Sequence, residues 1–168
     1  MLFRSPILFD AVLFDCDGVL VDSEPITLKV MTASLNAVGL TLSYEQVVQR
    51  FLGKSLPEEI PWIEAQIGRQ LPADFIASFR SDRNIALERD ITAIPGISDV
   101  IESLRVLNIP FAVASGADCG KMKITLGKTG LLSFFEDRLV GSDMVLHTKP
   151  APDEIGRASC RERVLMPV

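Results

Sequence analysis

Apolar and polar positions follow two different periods along the chain, and together they predict strands alternating with helices. Residues 11–14 form an uninterrupted apolar run that stops at Asp15, which is typical of a parallel strand buried on both faces. Residues 111–114 predict a second strand, and residues 138–141 predict a short third one. Helical spacing fills the segments between the later strands, so we expect a parallel α/β sheet with right-handed crossovers.

The stretch from about 25 to 90 differs from the rest, because helical spacing dominates it and no strand pattern interrupts it. We expect helices that begin near residues 23, 43, 55 and 72. Capping boxes are predicted at two of these starts, with Ser43 and Ser55 as the N-cap residues. Pro61 disfavours the helix that follows Ser55. The pattern therefore indicates a helical insertion after the first strand.

Composition limits the classes of protein that fit. The chain has 168 residues, of which 48% are apolar, so it is long enough for one core and a small accessory domain. Its formal charge of -5, without a basic patch, predicts no nucleic acid and no membrane as partner. It has no long apolar stretch, and its three cysteines fit neither a disulfide framework nor a CxxC pair. We therefore expect a cytoplasmic protein with reduced thiols.

The chain contains one histidine, His147, and this count restricts the chemistry more than any other. It excludes multi-histidine zinc sites and makes a Ser-His-Asp triad difficult, so carboxylates, lysines and hydroxyls must supply any catalysis. A phosphate-binding P-loop is excluded too, because no glycine–lysine segment has the required spacing. Cys16 is not expected to be a reactive thiolate, since the aspartates on either side of it raise its pKa.

Polar residues follow the three predicted strands, where ligands bind in open α/β sheets. Asp15 and Asp17 follow the first strand, Ser115 and Gly116 follow the second, and Lys149 lies soon after the third. Taken singly, each has an ordinary explanation as a turn former or a solvated lysine. Together, a carboxylate pair, a hydroxyl and an ammonium suit a tetrahedral oxyanion. The set predicts phosphoryl transfer to a carboxylate, with Mg²⁺ reducing the repulsion between Asp15 and the phosphate.

Three segments resemble the sequence motifs of the haloacid dehalogenase superfamily. They are LFDCDGVLVDSE at 13–24, FAVASGA at 111–117 and KPAPD at 149–153. The resemblance implies that Asp15 is the nucleophile that forms an aspartyl-phosphate and that Asp17 is the general acid and then the base. Ser115 and Gly116 would bind the phosphate, and Lys149 would balance the negative charge. Mg²⁺ would be held by the Asp15 side chain and the Asp17 main-chain carbonyl.

The same resemblance implies an α/β fold in which a Rossmann-like parallel sheet carries an inserted α-helical cap of subclass I. Residues 1–22 and 92–153 would form the sheet domain, and residues 23–91 would form the cap. The sequence is most similar to phosphatases of 6-phosphogluconate or hexose 6-phosphates, so a small phosphorylated metabolite is the expected partner and no protein partner is inferred. Lys54 is a candidate for substrate recognition from the cap, with a solvated loop lysine as the alternative.

Two other functions remain open, and a third is disfavoured. A β-phosphoglucomutase-like enzyme shares the cap and the aspartate pair, but it carries a histidine early in the first cap helix, where this chain has about Thr27. The single histidine therefore favours hydrolysis. A non-catalytic fragment or phosphate-binding module is the other alternative. A response-regulator receiver domain is disfavoured because both aspartates leave one strand and a helical insertion follows.

Residues 154–168 depart from the resemblance. The family continues here with an amphipathic helix, an apolar strand and an acidic pair that completes the metal site, whereas EIGRASCRERV resembles a translated sequencing adapter. We interpret these residues as a non-native tail on a C-terminally truncated chain, whose sheet is incomplete on that side and exposes a strand edge. We expect the full-length parent to be a Mg²⁺-dependent phosphatase and this chain to be weak or inactive.

Overall fold

A computed structural model describes residues 9–165, apart from the side chains of 160–165. The chain forms two compact units, one made of Met1–Val21 with Ala93–Val168 and the other of Asp22–Thr92. Residues 1–8 of the predicted sheet domain and residues 166–168 of the predicted tail lie outside the described range.

The first unit is built on a parallel sheet, and the second is helical. In chain order the elements are β1 (Val12–Phe14), α1 (Glu24–Ala37), α2 (Tyr44–Phe51), α3 (Leu56–Ile67), α4 (Phe75–Asp90), α5 (Ile97–Val106), β2 (Phe111–Ala114), α6 (Cys119–Lys128), α7 (Leu132–Phe135), β3 (Leu139–Val140) and α8 (Asp153–Leu165). A single 3₁₀ turn, Ser142–Met144, follows β3. No helix between residues 9 and 165 is long and apolar enough to cross a lipid bilayer.

The sheet has the order β1-β2-β3, and both pairs of neighbouring strands are parallel, as the alternation of strands and helices predicted. Val12 lies opposite Phe111, and Val113 lies opposite Leu139. Within the described residues β1 pairs with β2 alone. The prediction that β1 is buried on both faces is therefore wrong for its first two residues: Val12 and Leu13 are half-buried, because no described strand pairs with the other edge of β1.

Three phenylalanine rings pack β1 and β2 against α7. Phe14, Phe111 and Phe135 contact one another edge to face, with ring centroids between 5.5 and 6.3 Å apart. Burying a side chain of this size stabilises a fold by about 1.5 to 3 kcal/mol, and the edge-to-face geometry adds to that. Since Phe14 is the last residue of β1, this cluster also fixes where the chain leaves the strand.

The second unit packs the apolar faces of α1 to α4 around a core of its own. The fully buried members of that core are Leu35, Val47 and Ile63. The capping box predicted at Ser43 is confirmed, because the Ser43 hydroxyl accepts from the N–H of Gln46 and the Gln46 side chain accepts from the N–H of Ser43.

The capping box predicted at Ser55 is wrong, although a helix does begin there. The N–H of Glu58 donates to the main-chain oxygen of Ser55, 3.1 Å away, and not to its hydroxyl. Pro57 occupies the first turn of α3, where a missing N–H costs nothing. The helix continues through Pro61, so tertiary packing outweighs the local cost of the proline.

Candidate active site

Asp15 is the first residue beyond β1, at the carboxyl end of the sheet. One oxygen of its carboxylate accepts from the N–H of Cys16 at 2.7 Å. The other lies 3.1 Å from the ammonium nitrogen of Lys149. The Asp15 side chain is 44% exposed, so the carboxylate is oriented from both sides and still faces solvent. A carboxylate that is oriented in this way and reachable by a ligand can act as a nucleophile.

Lys149 links the ends of two strands. Besides pairing with Asp15, its ammonium donates to the main-chain oxygen of Ala114, the last residue of β2, at 3.1 Å. The structure thus brings Lys149 to the predicted nucleophile from a loop far away in sequence. Its positive charge lies where a phosphate on Asp15 would add negative charge.

Asp17 pairs with a residue that does not belong to the predicted site. The ammonium of Lys121 lies 2.7 Å from one oxygen of Asp17 and 2.8 Å from the other. The Lys121 side chain is 10% exposed. The available signal was its place in the first turn of the helix after Ser115, a position that faces the same edge of the sheet.

The loop that carries both aspartates is packed against α6. Asp118 caps this helix by accepting from the N–H of Lys121 at 2.8 Å, and Thr125 lies one turn further along. The Cys16 sulfur is 4.0 Å from the Thr125 hydroxyl. Burial is the main cause that raises the pKa of Cys16 to about 12, and the charge of Asp17 is the next. Cys16 therefore stays protonated, as predicted, and is not a reactive thiolate.

Ser115 and Gly116 follow β2 directly. The N–H of Ser115 extends the sheet by donating to Val140, and the Ser115 hydroxyl oxygen accepts from the N–H of Ala117 at 3.2 Å. That bond does not use the hydroxyl proton, which can therefore donate to a ligand oxygen. A Cβ on Gly116 would meet no atom within 4 Å, so the backbone there is open to a ligand.

The loop after β3 closes against the loop after β2. Ser142 donates from its N–H to the oxygen of Ala117, and the Asp143 carboxylate accepts from the N–H of Cys119, both at 3.0 Å. Gly141 lies at the point of closest approach. A Cβ there would be 2.7 Å from the oxygen of Ala117 and 2.9 Å from the nitrogen of Cys119.

We expect Gly141→Ala to destabilise the protein by about 2 to 3 kcal/mol, because backbone atoms would have to move to admit the methyl group. Denaturant unfolding measures the change. Gly127→Ala is the control, since its new Cβ would have its nearest neighbour at 3.8 Å and alanine favours the helix. If both variants unfold at the same denaturant concentration, the close approach at Gly141 does not constrain the loop.

Lys54 belongs to the second unit, and there it has a partner. Its ammonium is 3.5 Å from a carboxylate oxygen of Glu59, which also pairs with Arg50. Its side chain is 42% exposed. The structure therefore gives Lys54 an ion pair within its own unit, and a role in substrate recognition remains a prediction.

The predicted metal ligands are oxygen atoms, which is the donor type that suits a hard cation shared with a phosphate. Mg²⁺ is commonly bound by one or two carboxylates together with phosphate oxygens and water, and the Asp15 carboxylate and Asp17 carbonyl are donors of that type. The Asp17 carboxylate is already engaged by Lys121. Among the residues that the structure describes, no group of three histidine, cysteine or acidic side chains is placed to hold a metal ion.

Comparison with known proteins assigns this geometry to a family. The sequence pattern of the haloacid dehalogenase-like hydrolases matches residues 12–165. The 6-phosphogluconate phosphatase of Escherichia coli K12 is 31% identical over 146 residues, which are 85% of this chain and 64% of that protein. The chain therefore spans less than two thirds of this relative.

Two solved structures share the fold. A haloacid dehalogenase-like protein of unknown function from Agrobacterium tumefaciens is 29% identical, with a TM-score of 0.77, and the match covers 91% of this chain and 68% of that one. A haloacid dehalogenase family hydrolase from Deinococcus radiodurans, with bound phosphate and sodium, is 30% identical and has a TM-score of 0.71. The match covers 92% of this chain and 68% of that one.

Proposed function

Because the chain belongs to the haloacid dehalogenase-like hydrolase family, we propose that its activity is the hydrolysis of phosphate monoesters. The observation that carries the proposal is the Asp15 carboxylate, which is oriented by the N–H of Cys16 and paired with Lys149 at the carboxyl end of the sheet. The activity proposed is that of a whole protein of the family, since the chain spans 64% of its phosphatase relative.

We propose a small phosphorylated sugar or sugar acid as the substrate. The support is the similarity to a protein named 6-phosphogluconate phosphatase, together with a solved relative that holds phosphate. We also propose that Lys54 contributes to substrate choice, as the family resemblance implies. The sequence reasons for preferring hydrolysis to a mutase reaction, above all the single histidine, stand unchanged.

In the first proposed step, a carboxylate oxygen of Asp15 attacks the phosphorus atom. The bond between phosphorus and the sugar oxygen breaks, and Asp17 in its protonated form gives a proton to that oxygen. The sugar leaves as an alcohol, and Asp15 carries the phosphoryl group. Ser115 donates its hydroxyl proton to a phosphate oxygen, while the Lys149 ammonium offsets the charge.

In the second step, a water molecule attacks the same phosphorus atom and Asp17 accepts its proton. The bond between phosphorus and Asp15 breaks, so inorganic phosphate leaves and the carboxylate is restored. Mg²⁺, held by the Asp15 carboxylate and the Asp17 carbonyl, would supply positive charge to the phosphate oxygens.

The fate of the phosphate tests the proposal. We expect the chain, incubated with 6-phosphogluconate or glucose 6-phosphate and Mg²⁺, to release inorganic phosphate and an equal amount of dephosphorylated product. Chelation of the metal should stop the release. Phosphate retained on an isomeric sugar would instead identify a mutase. Binding of Mg²⁺ and phosphate without any turnover would identify a non-catalytic binding module.

A further inference from the structure

A buried lysine lies against the aspartate loop and has no part in the two steps above. The ammonium of Lys121 contacts both carboxylate oxygens of Asp17, at 2.7 and 2.8 Å. Its side chain is 10% exposed, whereas that of Asp17 is 25% exposed. A lysine loses hydration when it is buried, so a specific charge partner is needed to hold it there.

The backbone on both sides of this ion pair is fixed. On α6, the side chain of Asp118 accepts from the N–H of Lys121, which anchors the first turn of the helix. One turn later, Thr125 lies against Cys16, the neighbour of Asp17. The aspartate loop is thus held to α6 at two successive turns. The Lys121–Asp17 contact is part of this packing and not a chance meeting of two surface side chains.

Each of the two aspartates that follow β1 has a lysine beside it. Asp15 pairs with Lys149, and Asp17 pairs with Lys121. A phosphate group that reached Asp15 would be repelled by any carboxylate nearby that lacks a counter-charge. Lys149 lies beside Asp15, and Lys121 places a second positive charge beside Asp17.

We propose that Lys121 is a positioning residue for Asp17. When Asp17 is ionised, Lys121 holds its carboxylate through both oxygens and offsets its charge, so that a phosphate group at the end of the sheet meets less repulsion. Lys121 acts through Asp17 and does not itself contact the phosphate. This inference rests on the proposed function, since it takes the site around Asp15 to be one that accepts phosphate.

Binding of a phosphate analogue tests the inference without depending on turnover. Tungstate, a tetrahedral oxyanion, is titrated into the 168-residue chain in the presence of Mg²⁺ and followed by calorimetry. We expect Lys121→Met to weaken binding about tenfold, because it removes a positive charge that lies 2.7 Å from the Asp17 carboxylate and so increases the repulsion of the anion. Asp17→Asn should bind tungstate at least as tightly as the unchanged chain, because it leaves an unpaired ammonium. A merely structural contact would move both variants in the same direction.

The double variant Asp17→Asn with Lys121→Met is the decisive member of the series. Because it removes both charges, its binding should return to within about threefold of the unchanged chain. Lys128→Met, at an exposed position near the end of the same helix, is the control for charge removal and should bind normally. Lys121→Arg keeps the positive charge, so it should bind tungstate more tightly than Lys121→Met.

Thermal unfolding establishes that each variant is folded, and Lys121→Gln replaces Lys121→Met in the comparison if the latter is not. Unchanged tungstate binding by the neutral Lys121 variant would overturn the inference. A double variant as weak as the single one would overturn it too, because Lys121 would then contact the anion itself. Failure of the unchanged chain to bind tungstate would contradict the proposed function, and with it this inference.

Discussion

Replacing Asp15 with asparagine is expected to lower phosphate release by at least about a hundredfold, to the level of a solution without enzyme. The amide is nearly the same size as the carboxylate, and its oxygen can still accept from the N–H of Cys16. It is not a nucleophile, however, and it cannot form an ion pair with Lys149. The loss therefore reports on chemistry and not on folding.

A covalent intermediate provides the second measurement for Asp15→Asn. Rapid acid quenching followed by intact-protein mass spectrometry should detect one added phosphoryl group on the unchanged chain and none on the variant. Asp10→Asn is the matched control, since it makes the same substitution at an exposed residue just before β1, and it should keep both signals. A variant that retains a tenth of the turnover would show that Asp15 is not the nucleophile.

The sheet was predictable because its strands are marked by local apolar runs. β2 spans Phe111–Ala114, which are the four residues predicted from sequence, and all four are buried. β3 lies within the predicted segment 138–141. The first strand was found, but its burial was overestimated. An apolar run marks a strand, whereas the depth of its burial depends on neighbouring strands that come from elsewhere in the chain.

The candidate site was only partly predictable from sequence. Asp15 and Lys149 could be assigned to one edge of the sheet because each follows a predicted strand, and the structure places them 3.1 Å apart. Lys121 follows no strand and lies in a helix, where a lysine is ordinarily solvent-exposed. Its burial against Asp17 depends on how α6 packs on the aspartate loop, and periodicity within α6 does not report that.

The first turn of α8 contains a side chain that does not suit its surroundings. Glu154 is fully buried, and neither of its carboxylate oxygens has a hydrogen-bond partner in the described part of the structure. One turn later on the helix, Ala158 packs into an apolar cluster with Ala112, Ala114 and Val140 of the sheet. Since residues four apart share a helix face, the fold provides an apolar environment at position 154.

We expect Glu154→Leu to stabilise the protein against denaturant by about 2 to 4 kcal/mol, because a buried carboxylate without partners loses its hydration and gains nothing in return. Leucine is similar in volume and suits an apolar site. Glu154→Gln removes the charge but keeps the unpartnered polar atoms, so it should stabilise less. The measurement is chemical unfolding of the three proteins under identical conditions.

Glu102→Leu on the exposed face of α5 is the matched control for Glu154→Leu. It removes a surface ion pair with Arg105, so its stability should change by less than about 1 kcal/mol. A large gain at position 154 alone would support our proposal that residues 154–168 are not native to this fold, because a native sequence would place an apolar residue against the sheet there. Unchanged or lower stability of Glu154→Leu would show instead that the carboxylate is accommodated, and the proposal of a non-native tail would lose its structural support.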